Sequence, residues 1–124
     1  MKTSERLQRE RERRIRRRSA LERELQRLLA ILQALSVEKV ILFGSLARGE
    51  VGTWSDLDLL VVMPSEESFV RRAVELAQVL KPELGLDLVV YTPEEFKRMQ
   101  EEGNPFLRQV LKEGRILYEA GAVE

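Results

Sequence analysis

Three short apolar segments, separated by longer stretches with helical periodicity, most constrain the fold of this 124-residue chain. They run from Val37 to Phe43, from Leu57 to Met63 and from Leu86 to Tyr91. Each has the length of a buried strand and is followed by a Gly, a Pro or a Thr-Pro pair. With Ile116–Tyr118 as a short final strand, the sequence predicts an α/β (α+β) fold: a small mixed sheet of three to four strands covered by helices.

Capping signals place the helices between and after these strands. Ser65 is predicted to cap a helix that ends at Leu80. Thr92-Pro93-Glu94-Glu95 combines an N-cap, a proline at the first helical position and a capping-box glutamate. Asn104-Pro105 repeats the cap-and-proline pattern, and Leu46–Arg48 is predicted to form a single helical turn. The element order is therefore α-β-(turn)-β-α-β-α-α-(β).

The first 35 residues predict one long N-terminal helix of two characters. From Leu21 to Leu35, leucines recur at spacings of three and four, which predicts a packed apolar stripe. Residues 1–18 instead carry nine Lys and Arg against three Glu, a net charge of +6, whereas the remainder carries −6. We therefore divide the chain into a basic N-terminal helical extension, 1–18, and a domain, 19–124.

Two absent residue types exclude most classes of enzyme chemistry. The chain has no Cys and no His, so a thiolate nucleophile, an imidazole base and the common zinc sites are ruled out. Carboxylates, hydroxyls, backbone amides and hard cations such as Mg²⁺, Mn²⁺ or Ca²⁺ remain. No apolar run is long enough to cross a membrane and no secretory signal is visible, so the expected location is the cytoplasm.

Two motifs carry the polar residues that such chemistry needs. Gly44-Ser45 follows the first strand directly, where a glycine turn lets backbone amides approach an anion. Asp56 and Asp58 flank Leu57 at the head of the second strand, so both carboxylates share one face. At about 5 Å their repulsion amounts to about 3 kcal/mol, which a divalent cation would relieve. Either motif alone is also compatible with an ordinary turn or a solvated strand end.

A third acidic residue, Asp87, interrupts the apolar strand from Leu86 to Tyr91. If this strand pairs with the second strand, about 4.8 Å away, Asp87 is close enough to join Asp56 and Asp58 at one cation site. The alternative is that Asp87 lies at an exposed edge of the sheet.

Together these motifs resemble the nucleotidyltransferase superfamily of DNA polymerase beta. The run from Ile41 to Gly49, followed by Ser55 to Val61, is most similar to the minimal nucleotidyltransferases of prokaryotes. The resemblance covers roughly residues 20–118 and leaves the basic extension outside. It implies the polymerase beta-like nucleotidyltransferase fold and transfer of a nucleoside monophosphate, most simply AMP from ATP.

The resemblance also implies a role for each motif residue. Asp56 and Asp58 would hold two Mg²⁺ or Mn²⁺ ions that bind ATP, and Asp87 would complete the metal site and help to activate the incoming hydroxyl. Gly44 and Ser45 would hold the β- and γ-phosphates. Arg48 would either bind the triphosphate or brace its own loop.

The resemblance implies a partner as well, because only 37 residues follow Asp87 and leave no space for an acceptor domain. Minimal nucleotidyltransferases of this kind commonly pair with a HEPN toxin and act as its antitoxin by transferring AMP to a toxin tyrosine. The alternative is a catalytically inactive module that binds nucleotide or partner and regulates by contact. Transfer to RNA or to a small molecule is a third alternative.

The basic extension and Trp54 bear on the choice of acceptor. The extension contains no aromatic residue for stacking on bases, which favours a solvated helix over an RNA-binding arm. Trp54 lies just before Asp56 and is expected to anchor the loop, with stacking on a base as the alternative.

Overall fold

The computed structural model describes residues 2–121, which form one four-stranded sheet and five helices. The predicted extension, 1–18, includes Met1, and the predicted domain, 19–124, includes residues 122–124. These four residues lie outside the described part of the chain. The sheet has the order β3-β2-β1-β4, and its strands are β1 (Lys39–Phe43), β2 (Leu57–Val62), β3 (Leu86–Tyr91) and β4 (Arg115–Glu119). β2 and β3 are parallel, and β1 is antiparallel to both β2 and β4. The predicted mixed sheet is confirmed, including its short fourth strand.

The helices cover both faces of this sheet. They are α1 (Lys2–Gln33), α2 (Gly44–Arg48), α3 (Phe69–Leu80), α4 (Pro93–Glu101) and α5 (Pro105–Glu113). α3 forms the crossover that two parallel strands require, here between β2 and β3. Neighbouring residues of β2 point to opposite faces: Leu59 packs with α1 and α3, whereas Leu60 packs with α4 and α5.

α1 is a single helix whose buried stripe begins at Leu21. Its buried residues recur every three or four positions, as the leucine spacing predicts: Leu21, Glu24, Leu25, Leu28 and Leu32. Before Leu21 the helix is exposed, apart from a few half-buried positions. The division at residue 18 thus stays a prediction, because the backbone runs through it without a break.

Glu24 is the one acidic residue of that stripe, and it is buried with its partners supplied. Its carboxylate accepts hydrogen bonds from Arg27 Nε at 2.7 Å, from Arg27 Nη2 at 2.9 Å and from the backbone N–H of Glu83 at 2.6 Å. These hydrogen bonds outweigh the effect of burial and lower the pKa of Glu24. The contact ties α1 to the segment that leads into β3.

The start of α3 differs from the sequence prediction. Ser65 does not cap the helix, because its Oγ accepts a hydrogen bond from the N–H of Glu67 in a turn before it. Ser68 is the N-cap, with its side chain accepting from the N–H of Arg71. Ser65 and Ser68 are three residues apart with two glutamates between them, so the sequence alone does not distinguish which serine begins the helix. The capping box at Thr92 and the N-cap at Asn104 are both confirmed.

Within residues 2–121, no helix combines the length and the apolar character that crossing a bilayer requires.

Candidate functional site

The site lies where β1 ends and β2 and β3 begin. Because β1 and β2 are antiparallel, Phe43 at the end of β1 is the partner of Asp58 near the start of β2. Because β2 and β3 are parallel, Asp58 is in turn the partner of Asp87. One row across three strands therefore brings together both strand carboxylates and the turn that follows Phe43.

Gly44 begins that turn with a φ of +74°, a conformation that favours glycine. A Cβ at this position would lie 2.0 Å from Oδ2 of Asp58, so glycine is also needed for space. Gly44 and the half-buried Ser45 open the single-turn helix α2. The first amides of a helix have no acceptor within the helix. The predicted phosphate-binding residues therefore offer backbone donors, and they lie beside the Asp58 carboxylate.

Asp58 and Asp87 form a pair of neighbouring acids. Burial, a side-chain hydrogen bond with Asp87 and the negative charges of Asp87 and Asp56 together raise the pKa of Asp58 to about 6. Asp87 itself is exposed and lies on the edge strand of the sheet. The edge position that was the alternative for Asp87 is thus compatible with contact to Asp58, and a shared cation site stays a prediction.

Asp56 precedes β2 and faces the basic extension. Oδ1 of Asp56 lies 3.2 Å from Nη2 of Arg17, whose Nε donates to the backbone carbonyl of Ser55 at 2.8 Å. On its other side, Asp56 lies against Gly85, where a Cβ would come within 2.2 Å of Oδ1. Asp56 is thus held between α1 and the residue before β3.

The sequence interpretation missed Arg17 altogether. It assigned residues 1–18 to a solvated extension, whereas Arg17 contacts the site across a separation of 39 positions. A signal was present: Arg17 lies four residues before Leu21 and therefore on the buried face of α1. Among so many arginines, only this helical phase distinguished it.

The structure places Arg48 as a brace of the site loop. Its Nε lies 3.0 Å from Oε2 of Glu50 and its Nη1 lies 3.6 Å from Oε2 of Glu113 on α5. The hydrogen bond that Arg48 donates to Glu50 raises the pKa of Arg48, while the positive charge of Arg48 lowers the pKa of Asp58. Binding of nucleotide by Arg48 stays a prediction.

Trp54 does not anchor the loop, because 88% of its surface is exposed. The expectation of a buried anchor was therefore wrong. The loop is held instead by Ser55, whose Oγ accepts from the N–H of Gly52 at 2.8 Å and whose carbonyl accepts from Arg17.

The donor chemistry of the three carboxylates fits a hard divalent cation. Asp58 and Asp87 are acids in contact, and a cation would remove their repulsion. In the part of the chain that the structure describes, no three His, Cys, Asp or Glu side chains are yet grouped closely enough to hold a metal. Asp56 is paired with Arg17 instead, so cation binding at all three would require Asp56 to leave or share that partner.

Comparison with known proteins identifies relatives over most of the chain. The sequence profile of the family described as "Nucleotidyltransferase domain" matches residues 8–118. A curated relative, named Putative protein adenylyltransferase MJ0604, of Methanocaldococcus jannaschii, is 36% identical over 84 residues. The aligned region covers 66% of this chain and 79% of the relative.

Solved structures share the fold at low sequence identity. One is a crystal structure titled as a putative nucleotidyltransferase from Sulfolobus solfataricus, with a TM-score of 0.62, 20% identity and coverage of 87% of this chain and 88% of that one. Another is titled as a toxin–antitoxin with AMP-PNP, with a TM-score of 0.52, 21% identity and coverage of 77% and 73%. The nucleotidyltransferase fold expected from the sequence is confirmed.

Proposed function

The chain belongs to the nucleotidyltransferase domain family, and from this premise we propose that it transfers AMP from ATP to a hydroxyl group of a partner protein. The acceptor that we propose is a tyrosine of a HEPN toxin, for which this chain is the antitoxin. The curated relative, by its name, acts on protein, and one structural neighbour is a toxin–antitoxin with AMP-PNP. Both support a protein acceptor and an adenine nucleotide.

One observation carries the proposal: Asp58 lies between Asp87 and the Gly44 turn. Transfer of a nucleotide requires carboxylates that hold cations and amides that hold the outgoing phosphates, side by side. The row across β1, β2 and β3 supplies both without any Cys or His.

In the proposed reaction, the acceptor oxygen forms a bond to the α-phosphorus of ATP. The bond from that phosphorus to the oxygen bridging to the β-phosphate breaks, and pyrophosphate leaves with the electron pair. The acceptor proton passes to the carboxylate of Asp87. Gly44 and Ser45 hold the β- and γ-phosphates through their amides. Mg²⁺ held by Asp56, Asp58 and Asp87 would neutralise charge on the attacking and leaving oxygens.

Asp58 would keep the triphosphate and the acceptor on the same side of the sheet. It lies at the centre of the row, in contact with Asp87 on one side and Gly44 on the other. Its loss is therefore expected to affect nucleotide binding and transfer together, whereas loss of Asp87 is expected to affect transfer more strongly.

A transfer assay tests the proposal with ATP labelled at the α-phosphorus, Mg²⁺ and a co-purified HEPN protein. We expect label on the partner with the wild type and none with Asp56→Asn/Asp58→Asn. The matched control is Glu101→Gln/Glu102→Gln, which also removes two carboxylates but at an exposed helix end. The control is expected to label the partner as the wild type does.

Two outcomes would contradict the proposal. If no partner is labelled and the double Asn variant still neutralises the toxin as well as the wild type, the chain is a module that acts by contact. If label appears on RNA or on a small molecule instead, the acceptor class is wrong.

A further inference from the structure

A cleft lies along the basic extension, and its lining comes within two positions of Asp56 in the chain. It separates one face of α1 from the loop that precedes Asp56, and we name it the arm cleft. Its lining residues are Glu10, Arg13, Arg14, Gly52, Thr53 and Trp54. The proposed function uses none of them.

The α1 wall of the arm cleft continues the buried face of the same helix. Positions 10, 13, 14 and 17 follow the spacing of three and four that Leu21, Leu25 and Leu28 keep further along. Where this face is apolar it packs on the sheet, and where it is basic it lies over the loop. One turn further along α1, Arg17 donates to the carbonyl of Ser55 and to the carboxylate of Asp56.

The two walls differ in chemistry. Arg13 and Arg14 extend from α1, and within residues 2–121 neither guanidinium is paired with a carboxylate. On the loop wall, Trp54 exposes 88% of its surface. Exposed tryptophan and arginine side chains are the residue types that contribute most to protein–protein binding. The cleft therefore combines an aromatic surface with a net positive charge, two arginines against one glutamate.

The charge selects the occupant. Arg13 and Arg14 outweigh Glu10, so the cleft carries a net positive charge that attracts a segment with carboxylates. Single-stranded RNA fits less well, because one tryptophan offers a single stacking position and Glu10 repels a phosphate backbone. In the proposed reaction, a segment bound in the cleft lies beside the loop that leads to Asp56.

We propose that the arm cleft is the acceptor-docking surface and that it binds an acidic segment next to the hydroxyl that receives AMP. This inference rests on the proposed function for the identity of the acceptor as a protein. The cleft holds the segment between Trp54 and the arginines and so directs its hydroxyl towards Asp56 and Asp87.

Trp54 is the only tryptophan of the chain, so its fluorescence reports on the cleft alone. The probe is a random copolymer of glutamate and tyrosine. Trp54 is excited at a wavelength at which indole absorbs and tyrosine does not. We expect saturable quenching by this copolymer and none by a copolymer of lysine and tyrosine. With Arg13→Glu/Arg14→Glu, we expect the Kd to rise about tenfold, because both charges that attract the acidic copolymer are reversed.

The matched control is Arg11→Glu/Arg16→Glu, which makes the same change of net charge on the sides of α1 turned away from the loop. Its Kd for the acidic copolymer is expected to lie within about twofold of the wild-type value, because salt screens the long-range effect of the changed charge. An equal loss of affinity in both double variants would show a general effect of charge and would overturn the proposal that the arm cleft binds the segment.

The same copolymer serves as an acceptor in the transfer assay, which separates this inference from the proposed function. We expect Arg13→Glu/Arg14→Glu to raise the KM for the copolymer about tenfold and to leave kcat unchanged. If the wild type labels neither the copolymer nor the HEPN protein while quenching is intact, the function is refuted and the docking proposal is kept. Equal KM values in the variant and its control would refute docking of the acceptor at the arm cleft and leave the proposed function intact.

Two other occupants are distinguished by the same variants. Quenching by an oligouridylate in place of the acidic copolymer would overturn the proposal in favour of RNA. The second is another copy of this chain, whose residues 19–124 carry a charge of −6. A lower mass of Arg13→Glu/Arg14→Glu than of wild type in sedimentation, with no probe present, would overturn it in favour of that copy.

Discussion

Arg17 and Asp56 form an ion pair, with Nη2 and Oδ1 3.2 Å apart, although 39 positions separate them in the chain. The contact joins the basic extension to a carboxylate that the proposed reaction uses. The side chain of Arg17 is 22% exposed and that of Asp56 is 48% exposed, so the pair is accessible to solvent. A guanidinium in this position competes for Asp56 with any cation that binds there.

We expect Arg17→Met to strengthen binding of Mn²⁺ to the protein about threefold, since a partly exposed ion pair of this kind is worth about 0.2–1 kcal/mol. The measurement is the amount of free Mn²⁺ seen by electron paramagnetic resonance during a titration, and Arg16→Met is the control on another face of α1. Weaker binding in Arg17→Met would mean that Arg17 holds Asp56 ready for the metal rather than competing with it.

Gly44→Ala is expected to lower transfer about 100-fold, because the added Cβ would lie 2.0 Å from Oδ2 of Asp58 and displace the carboxylate. The matched control is Gly49→Ala. Gly49 has nearly the same positive φ, +73° against +74°, but nothing lies within 4 Å of its Cβ position.

Both alanine variants are expected to lose about 1 kcal/mol of unfolding free energy from the strained backbone, measured by urea denaturation. Only Gly44→Ala should also lose transfer. Equal losses of activity would show that the backbone strain, and not the space beside Asp58, makes glycine necessary.

The strands and their carboxylates were predictable from the sequence because their signals are local. Asp58 and Asp87 each interrupt an apolar strand, and pairing of the two strands follows from the crossover helix between them. Arg17 was not predictable in the same way. Its partner depends on where a helix face meets a distant loop, which is a property of packing rather than of any short motif.

The start of α3 illustrates a different limit. Two serines, three positions apart, satisfy the same capping rule, and only the loop before the helix decides between them. Trp54 shows a third limit. The large apolar surface of an aromatic side chain predicts that it is buried and anchors its loop, yet Trp54 is exposed.

The cap assignment makes a prediction about stability. Ser68→Ala is expected to lower the unfolding free energy by about 1 kcal/mol, because the N–H of Arg71 loses its acceptor. Ser65→Ala removes only a turn hydrogen bond to Glu67, so it should cost less than Ser68→Ala in the same urea titration. A larger loss for Ser65→Ala would mean that the helix begins earlier in solution.

Glu24 predicts how stability depends on pH. Its hydrogen bonds with Arg27 hold its pKa in the folded state below the ordinary value of 4.5, so the folded state binds the proton less readily than the unfolded state. The stabilisation is thus complete above pH 4.5 and is lost as the pH falls through the lowered pKa. Glu24→Gln is expected to lose about 1 kcal/mol at neutral pH.

Urea titrations between neutral and acid pH check this expectation. The difference in unfolding free energy between the wild type and Glu24→Gln should shrink as the pH falls below 4.5. The exposed Glu22→Gln serves as the control and is expected to show a smaller difference at neutral pH. A difference for Glu24→Gln that is constant across this range would place the carboxylate outside its ion pair with Arg27.

The shared register of β2 and β3 has a consequence for protein engineering. Asp87 reaches Asp58 because the two are direct partners, and side chains on a strand alternate between faces. An acidic residue moved by one position, to Leu86 or Leu88, would enter the opposite layer among apolar side chains. A redesigned third carboxylate on this strand can therefore be relocated only in steps of two residues. The pleat of the sheet thus sets the smallest increment by which the proposed reaction centre can be rebuilt.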